Sequence, residues 1–478
     1  MNTILAPLRE LGEYEDIQKQ LNTQQGKVSI SGCVDSQKLH MVYGLTEKYD
    51  VKLIVTYSDM KAKELLDDCK LYCRESYYFP AKDLIFYQAD IHSNQLIKER
   101  VAVLRKLLEG EPITIVTTFS ALMAHQLPLS IWQENVIEIE EGGIAEEAAI
   151  ARQLVKMGYE KNYQVEAPGQ FSVRGGIVDI FDLTRENPVR IELWGDEVES
   201  IRSFDIESQR SIEKLTEVSI YPATELILSK KALEDGLARM EKDCKKSAAF
   251  FREETKPEEA HRLEQAVAEL KEQVTQFQSF VNLESYIGYF YEETQSLVDF
   301  VADRKLCICL DEPARIEEHA NAVELEFRES MSTRAEKGYI LPEQMNVLYG
   351  AREIYARLDK NRLLALSTME YKGFPVKFQN RYAVNARNVS SYNNSFPELV
   401  KDLNHYKKNG YRVLLVSASS TRAKRLATDL MDEGLNAFYS DNSQRELQPG
   451  EIMTFYGNVL KGFEYPMLKF VVISESDI

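Results

Sequence analysis

The stretch Ser29–His40, SISGCVDSQKLH, joins a short apolar run to a helical pattern and sets the character of the first domain. A phosphate-binding P-loop reads glycine, four residues, glycine, lysine and then serine or threonine. Gly32 and Lys38 stand at that separation, but Gln37 replaces the second glycine and Leu39 replaces the hydroxyl residue. The order of strand, loop and helix predicts an α/β domain that has the spacing of a nucleotide site without its residues.

These replacements predict that the loop does not hydrolyse ATP. The side chain of Gln37 stands where the backbone has to approach the phosphates closely, and Leu39 offers no oxygen to Mg²⁺. Lys38 alone supplies one charge on a flexible stem. An acidic pair, Asp311–Glu312, follows an apolar strand as it does in nucleotidases, although such pairs are also common by chance. We therefore expect no catalytic residue, no cofactor and no metal site, and we interpret the six cysteines as buried thiols.

Outward from the loop, the pattern predicts strands alternating with helices, such as strand Val51–Tyr57 and a helix over Ser93–Glu109 capped by Ser93. From about Gln133, consecutive strands separated by turn residues predict a small α+β insertion. A long charged helical region follows over 229–278, and the weak pattern of 371–395 predicts a linker. The remaining segment returns to the strand–helix alternation of a parallel sheet.

The predicted fold class is α/β, with a P-loop-like, helicase-type parallel-sheet domain interrupted by the insertion and followed by a separate carboxyl-terminal α/β domain. The predicted boundaries are 1–128 and 213–370 for the two halves of the first domain, 129–212 for the inserted second domain, and 371–478 for the third.

Composition restricts the classes of partner. The chain has 478 residues, with 58 Lys and Arg against 76 Asp and Glu, which gives a net charge of −18. A protein whose main task is to bind a phosphate backbone usually carries the opposite sign, so any nucleic-acid contact is expected to be local. The sequence contains neither a secretory signal pattern nor an apolar run of about 18 residues, and we expect a cytoplasmic protein that makes no membrane contact.

Two motifs resemble one known family. FSVRGGIVDIF, Phe171–Phe181, and RIELWGDEVESIRSFDIESQR, Arg190–Arg210, are similar to the amino-terminal region of transcription-repair coupling factor (Mfd), which is itself similar to the repair protein UvrB. The resemblance is strongest over 77–226, and ISESD at 473–477 also resembles the family. It implies that the second domain docks UvrA, the damage-recognition ATPase. It also implies that RNA polymerase and DNA are bound by further modules of the full-length family, including an ATP-driven motor, which we expect to be absent here.

Two differences favour Mfd over UvrB. UvrB keeps an intact P-loop, and it inserts an aromatic DNA-probing hairpin where this chain has only a short stretch between Phe79–Pro80 and the helix near Ser93. Without an intact P-loop and without the hairpin, we expect the chain neither to hydrolyse ATP nor to probe DNA. This favours a non-catalytic adaptor that recruits UvrA to transcription-blocking damage. In the family this docking surface is held masked, so we expect the present chain to bind UvrA more readily than a full-length parent.

The family's contact residues correspond to Arg174, Arg190 and Trp194. In strand Val189–Trp194, Arg190 and Trp194 share one face, while alternate apolar residues point to the other. An exposed indole beside guanidinium groups is typical of a protein–protein hot spot, although an ordinary solvated strand face has the same pattern. We expect alanine at Arg174 or Arg190 to lower UvrA affinity by about 1–4 kcal/mol with the fold intact.

Two other functions remain open at this point. An ATP-dependent UvrB-like DNA repair helicase predicts stabilisation by nucleotide, because a ligand that binds the native state raises apparent stability. A direct DNA-binding module predicts salt-dependent binding through short basic patches such as KNYQ and TRAKR.

Overall fold

The structure, a computed structural model, describes residues 3–82, 94–276 and 283–478. It confirms the α/β class, with a large parallel sheet and three further sheets in these ranges. The cap predicted at Ser93, and the stretch predicted to be too short for a DNA-probing hairpin, fall on 83–93, outside the described residues. Within the described ranges, no helix has the length and apolar character needed to cross a bilayer.

The first part of the chain supplies four parallel strands of the large sheet and the helices that pack on it. The strands are β1 Lys27–Ser31, β2 Val51–Thr56, β3 Ser76–Phe79 and β4 Ile113–Thr118. The helices are α1 Tyr14–Leu21, α2 Gln37–Leu45, α3 Asp59–Cys69, α4 Asn94–Glu109, α5 Phe119–Met123 and α6 Leu129–Gln133. The β4 strand is buried along its whole length, as expected for a parallel sheet covered on both faces.

A mostly antiparallel unit follows, built on the strand run predicted as an insertion. Its strands are β5 Ile137–Glu140, β6 Glu160–Lys161, β7 Gln170–Arg174, β8 Ile177–Ile180, β9 Val189–Trp194, β10 Glu197–Phe204, β11 Ser211–Leu215 and β12 Glu217–Ile220. Strands β6 to β11 form one sheet, β12 pairs with β5, and helix α7 Glu147–Lys156 packs against them.

The chain then returns to the first sheet. Two long helices come first, α8 Lys230–Glu253 and α9 Pro257–Gln276, followed by α10 Ile287–Phe290, α11 Leu297–Val301, α12 Pro313–Glu336 and α13 Ala351–Asp359. The returning strands are β13 Leu306–Asp311, β14 Leu363–Leu366 and β15 Asn380–Ala383. Their insertion gives the parallel order β15-β1-β14-β13-β2-β4-β3.

The linker predicted over 371–395 is wrong, because two short strands lie inside it, β15 and Arg387–Asn388. Strand β15 pairs with β1 as the edge of the first sheet. The strand has four residues, none of them fully buried, so it lacks the apolar signal by which a strand is recognised in a sequence. The domain boundaries drawn from the sequence stay predictions.

The last part of the chain forms a third sheet. Its strands are β16 Arg387–Asn388, β17 Arg412–Ser417, β18 Ala437–Tyr439, β19 Ile452–Tyr456, β20 Phe463–Tyr465 and β21 Phe470–Ser474, with helices α14 Phe396–Lys408 and α15 Ser420–Asp432. One face packs in its own core, and side chains such as Leu414, Tyr465 and Val472 join a core shared with the first sheet. The third sheet therefore packs directly on the first.

Candidate partner-binding face and altered nucleotide loop

A tight hairpin presents Arg174. Strands β7 and β8 are joined by Gly175 and Gly176, whose φ angles are 57° and 84°. A two-residue turn with both φ angles positive matches the twist of a hairpin, and glycine adopts it without strain. A Cβ atom on Gly176 would also lie 2.9 Å from the carbonyl oxygen of Leu193. The glycine pair therefore serves the backbone turn, which holds Arg174 at its edge.

Arg174 and Arg190 meet at one buried carboxylate that sequence reasoning missed. Asp179, which is 1% exposed, accepts hydrogen bonds from Arg190 Nε at 2.7 Å and Nη2 at 2.9 Å, and from Arg174 Nη2 at 3.2 Å. Asp179 lies directly opposite Arg190 across β8 and β9. One feature of the sequence could have indicated this contact: Asp179 is the single acidic residue in the apolar run IVDIF. A carboxylate buried in such a run needs a charged or hydrogen-bonding partner.

Arg190 is held from three sides. Besides Asp179, it donates a 2.9 Å hydrogen bond to Gln209 Oε1, and its guanidinium lies 4.3 Å from the ring centroid of Phe204. Its side chain keeps 16% exposure, against 38% for Arg174. Arg190 is thus a rigid element with a small solvent-facing edge, and Arg174 is the more accessible cation.

Two exposed aromatic side chains lie on the same sheet region as these cations, one in contact with Arg174 and the other at the end of β9. The predicted alternation along β9 is present, with Val189, Ile191 and Leu193 buried and Trp194 79% exposed. Tyr163 is 84% exposed, and the Arg174 guanidinium lies 5.7 Å from its ring centroid. We call Tyr163, Arg174, Arg190 and Trp194 the docking face.

Three backbone donors of the loop after β1 are occupied within the protein. Gly32 N–H donates to Thr368 O at 3.2 Å, and Cys33 N–H donates to Ser367 O at 3.1 Å. Val34 N–H donates to the side-chain oxygen of Gln37 at 3.1 Å. A P-loop offers such backbone groups to phosphate oxygens, whereas here these three groups already have acceptors within the protein.

Lys38 is also engaged. Its Nζ lies 2.7 Å from Asp311 Oδ1 and 2.6 Å from Glu312 Oε1, and its side chain is 6% exposed. Burial alone would lower the pKa of Lys38, but the two carboxylates outweigh burial and raise the pKa above its usual range. Lys38, Asp311 and Glu312 thus form an internal cluster of one cation and two carboxylates.

The other loop residues are structural. Leu39 is 1% exposed in the shared core, and Gln37 is fully buried. Gly32 has φ 79°, and a Cβ there would lie 2.0 Å from the carbonyl oxygen of Val384, just after β15. The close approach of this backbone, rather than of a phosphate, accounts for glycine at position 32.

Comparisons with known proteins agree with this arrangement. The UvrB interaction domain family matches residues 137–226, which include the whole docking face. A transcription-repair-coupling factor from Bacillus subtilis is 31% identical over 481 residues, covering 100% of this chain and 40% of the relative. Relatives of the same name from Staphylococcus epidermidis and Staphylococcus aureus are 26% and 25% identical, covering 95% and 100% of the chain.

The chain spans about 40% of the length of these relatives. The similarity extends through all four sheets and includes the interaction domain. The chain is therefore similar over its whole length to the amino-terminal part of transcription-repair-coupling factors, and residues 137–226 match the UvrB interaction domain.

Proposed function

We propose that this chain is a non-catalytic adaptor that binds UvrA through the docking face and so recruits excision repair to stalled transcription. The observation that carries the proposal is the docking face itself, where exposed Trp194 and Tyr163 lie on the same sheet region as a pre-organised pair of arginines inside the matched interaction domain. Aromatic residues and arginine dominate the binding energy of protein interfaces, most of all when they are rigid before binding.

An apolar neighbour extends this face. Ile144, which is 81% exposed, forms a β-bridge with Glu197, the residue that pairs with Trp194 across β9 and β10. An exposed isoleucine beside an exposed indole gives a partner a larger apolar contact than either alone. The guanidinium of Arg174 is placed to pair with a carboxylate of the partner.

The chemistry of the loop supports the non-catalytic part of the proposal. The lysine is paired with both acidic residues, and three loop amides have protein acceptors. ATP would have to break these contacts to bind. The family name implies RNA polymerase and DNA as further partners of the whole protein.

Direct DNA binding through the TRAKR patch is less favoured by the contacts. Arg422 pairs with Glu475, Arg425 Nε lies 3.8 Å from Asp429 Oδ2, and Lys424 Nζ lies 5.1 Å from the ring centroid of Tyr439. These contacts neutralise the patch only in part, since the side chains of Arg422 and Arg425 remain 72% and 84% exposed.

The experiment is a competition between this chain and UvrB for purified UvrA. The resemblance implies that both proteins use one surface of UvrA, so we expect saturable binding of the chain that rising UvrB concentration displaces. Binding of both proteins to UvrA at once would contradict the proposed shared surface, and no binding would contradict the adaptor function.

A further inference from the structure

The altered nucleotide loop lies directly against the third sheet. Gln37 Nε2 lies 2.7 Å from the phenolic oxygen of Tyr465 on β20, and His40 Nδ1 lies 2.9 Å from the same oxygen. The three side chains are essentially inaccessible to solvent. Two residues at the start of α2 thus converge on one hydroxyl group from the other end of the chain.

The direction of these hydrogen bonds follows from their partners. His40 Nε2 lies 2.7 Å from the carbonyl oxygen of Ile4, which can only accept, so Nε2 carries the proton. Nδ1 of the neutral ring then accepts from the Tyr465 hydroxyl, whose oxygen accepts from the Gln37 amide. Burial lowers the pKa of His40 to about 4, which keeps the ring neutral near pH 7. One directional chain joins the amino-terminal segment, the loop helix and the third sheet.

Polar contacts surround this chain. Lys461 N–H donates to Ser36 Oγ at 3.2 Å, and Lys461 Nζ lies 3.1 Å from Asp35 Oδ2. Leu460 N–H donates to Asp68 Oδ1 at 2.6 Å. Residues 460–465 therefore pack against the loop and the start of α2.

Apolar packing completes the contact. The His40 ring centroid lies 5.4 Å from that of Phe463 and 5.8 Å from that of Phe470. Both phenylalanines belong to the core shared by the first and third sheets. A glycine at position 37, as in a P-loop, would have no side chain with which to reach Tyr465.

We propose that the altered nucleotide loop is an internal receptor for the third sheet, in which Gln37 and His40 recognise the Tyr465 hydroxyl. The third sheet occupies the approach to the loop in place of a nucleotide. The hydrogen bonds to Tyr465 hold the first and third sheets together as one unit. This inference does not rest on the proposed docking of UvrA, because the receptor and the docking face have no residue in common.

The test is hydrogen exchange of the full chain with Tyr465→Phe, which removes only the hydroxyl. We expect amide exchange over 33–42 to rise by about tenfold, since losing these buried hydrogen bonds promotes local opening. The matched control is Tyr411→Phe, because the Tyr411 hydroxyl donates to Glu464 at 2.8 Å within the third sheet. The control should leave exchange over 33–42 unchanged.

A second variant covers the case in which Tyr465→Phe does not fold. Gln37→Ala keeps the Tyr465–His40 bond but also removes the acceptor of Val34 N–H, so its effect is read over 35–42, where exchange should rise by a smaller factor than in Tyr465→Phe. Unchanged protection of 33–42 in a folded Tyr465→Phe variant, or of 35–42 in Gln37→Ala, would overturn the inference. Protection of 33–42 by Mg-ATP in the unmodified chain would overturn it too. UvrA affinity should be the same in all variants, so a failure of the adaptor proposal is distinguished from a failure of this one.

Discussion

Asp179 and Arg190 face each other across two antiparallel strands and are joined by hydrogen bonds of 2.7 and 2.9 Å. The carboxylate is buried, and the arginine keeps only a small exposed edge. This pair links the stability of the second sheet to the shape of its outer face. A change at Arg190 therefore acts on the fold as well as on binding.

Arg190→Ala is predicted to destabilise the chain by about 2–4 kcal/mol, because it removes the main partner of a buried carboxylate. Arg174→Ala should lose only about 0–1 kcal/mol, since Arg174 is more exposed and its bond is longer. Thermal unfolding of both variants measures the difference. This modifies the expectation from the sequence that the fold stays intact in both variants. Equal loss in the two would contradict the geometry.

Lys38→Met is predicted to lower stability by about 3–5 kcal/mol, because it leaves buried Asp311 and partly buried Glu312 without their cation. In a working P-loop, the same change would instead abolish stabilisation by nucleotide. Scanning calorimetry with and without Mg-ATP separates the two cases. A melting temperature that rises with Mg-ATP in the unmodified chain, and not in the variant, would show that the loop binds nucleotide.

Gly32→Ala is predicted to detach the edge strand β15 and to cost several kcal/mol, because its Cβ would lie 2.0 Å from Val384 O. Gly410→Ala is the matched control, with a similar φ of 71° but no atom within 4 Å of its Cβ. The control should lose only about 1–2 kcal/mol, the cost of the left-handed conformation. Denaturant unfolding compares the two. A loss at Gly32 no larger than at Gly410 would argue against the close approach of Val384.

Asp68→Asn is predicted to stabilise the chain near pH 7. Burial raises the pKa of Asp68 to about 6, even though it accepts hydrogen bonds from Ser36 and Leu460 N–H. The folded state therefore binds the proton more tightly than the unfolded state. The contribution of Asp68 to the free energy of unfolding therefore rises as pH falls from about 6 towards 4. Above pH 6 the carboxylate is charged in the folded state, and the full cost of burying the charge applies. The raised pKa corresponds to a difference of at most about 3 kcal/mol in the stability of the folded chain between the charged and the neutral form of Asp68.

The asparagine variant keeps an acceptor oxygen for Leu460 and loses the charge. Its advantage over the unmodified chain should be largest above pH 6 and should shrink on acidification. Denaturant midpoints of the two proteins between pH 5 and pH 8 give the difference directly. An advantage that grows at low pH would contradict the assignment.

Strand β9 shows what the sequence predicts well. Alternation of apolar and polar residues over Val189–Trp194 placed Trp194 on the outside, because a strand with one buried face must alternate. The partner of Arg190 was not predictable in this way. Asp179 is 11 residues away and meets Arg190 only through the register of two strands.

The third sheet shows the same limit at longer range. Strands β17, β19 and β21 were recognisable from short apolar runs, but β16, β18, β20 and the packing of the sheet on the loop were not. Gln37 and Tyr465 are 428 residues apart, and neither carries a local signal of the other. The differences from the P-loop pattern at Gln37 and Leu39 led only to the expectation that the loop does not hydrolyse ATP. The contact that now fills the site required the structure.

The most direct test of the docking face is calorimetric titration of UvrA with Trp194→Ala. The matched control is Met369→Ala, which removes a side chain of similar exposure, 78% against 79%, outside the matched interaction domain. We predict that Trp194→Ala weakens UvrA binding by about thirtyfold, roughly 2 kcal/mol, while Met369→Ala binds like the unmodified chain. Equal affinity of Trp194→Ala and the unmodified chain would contradict the account.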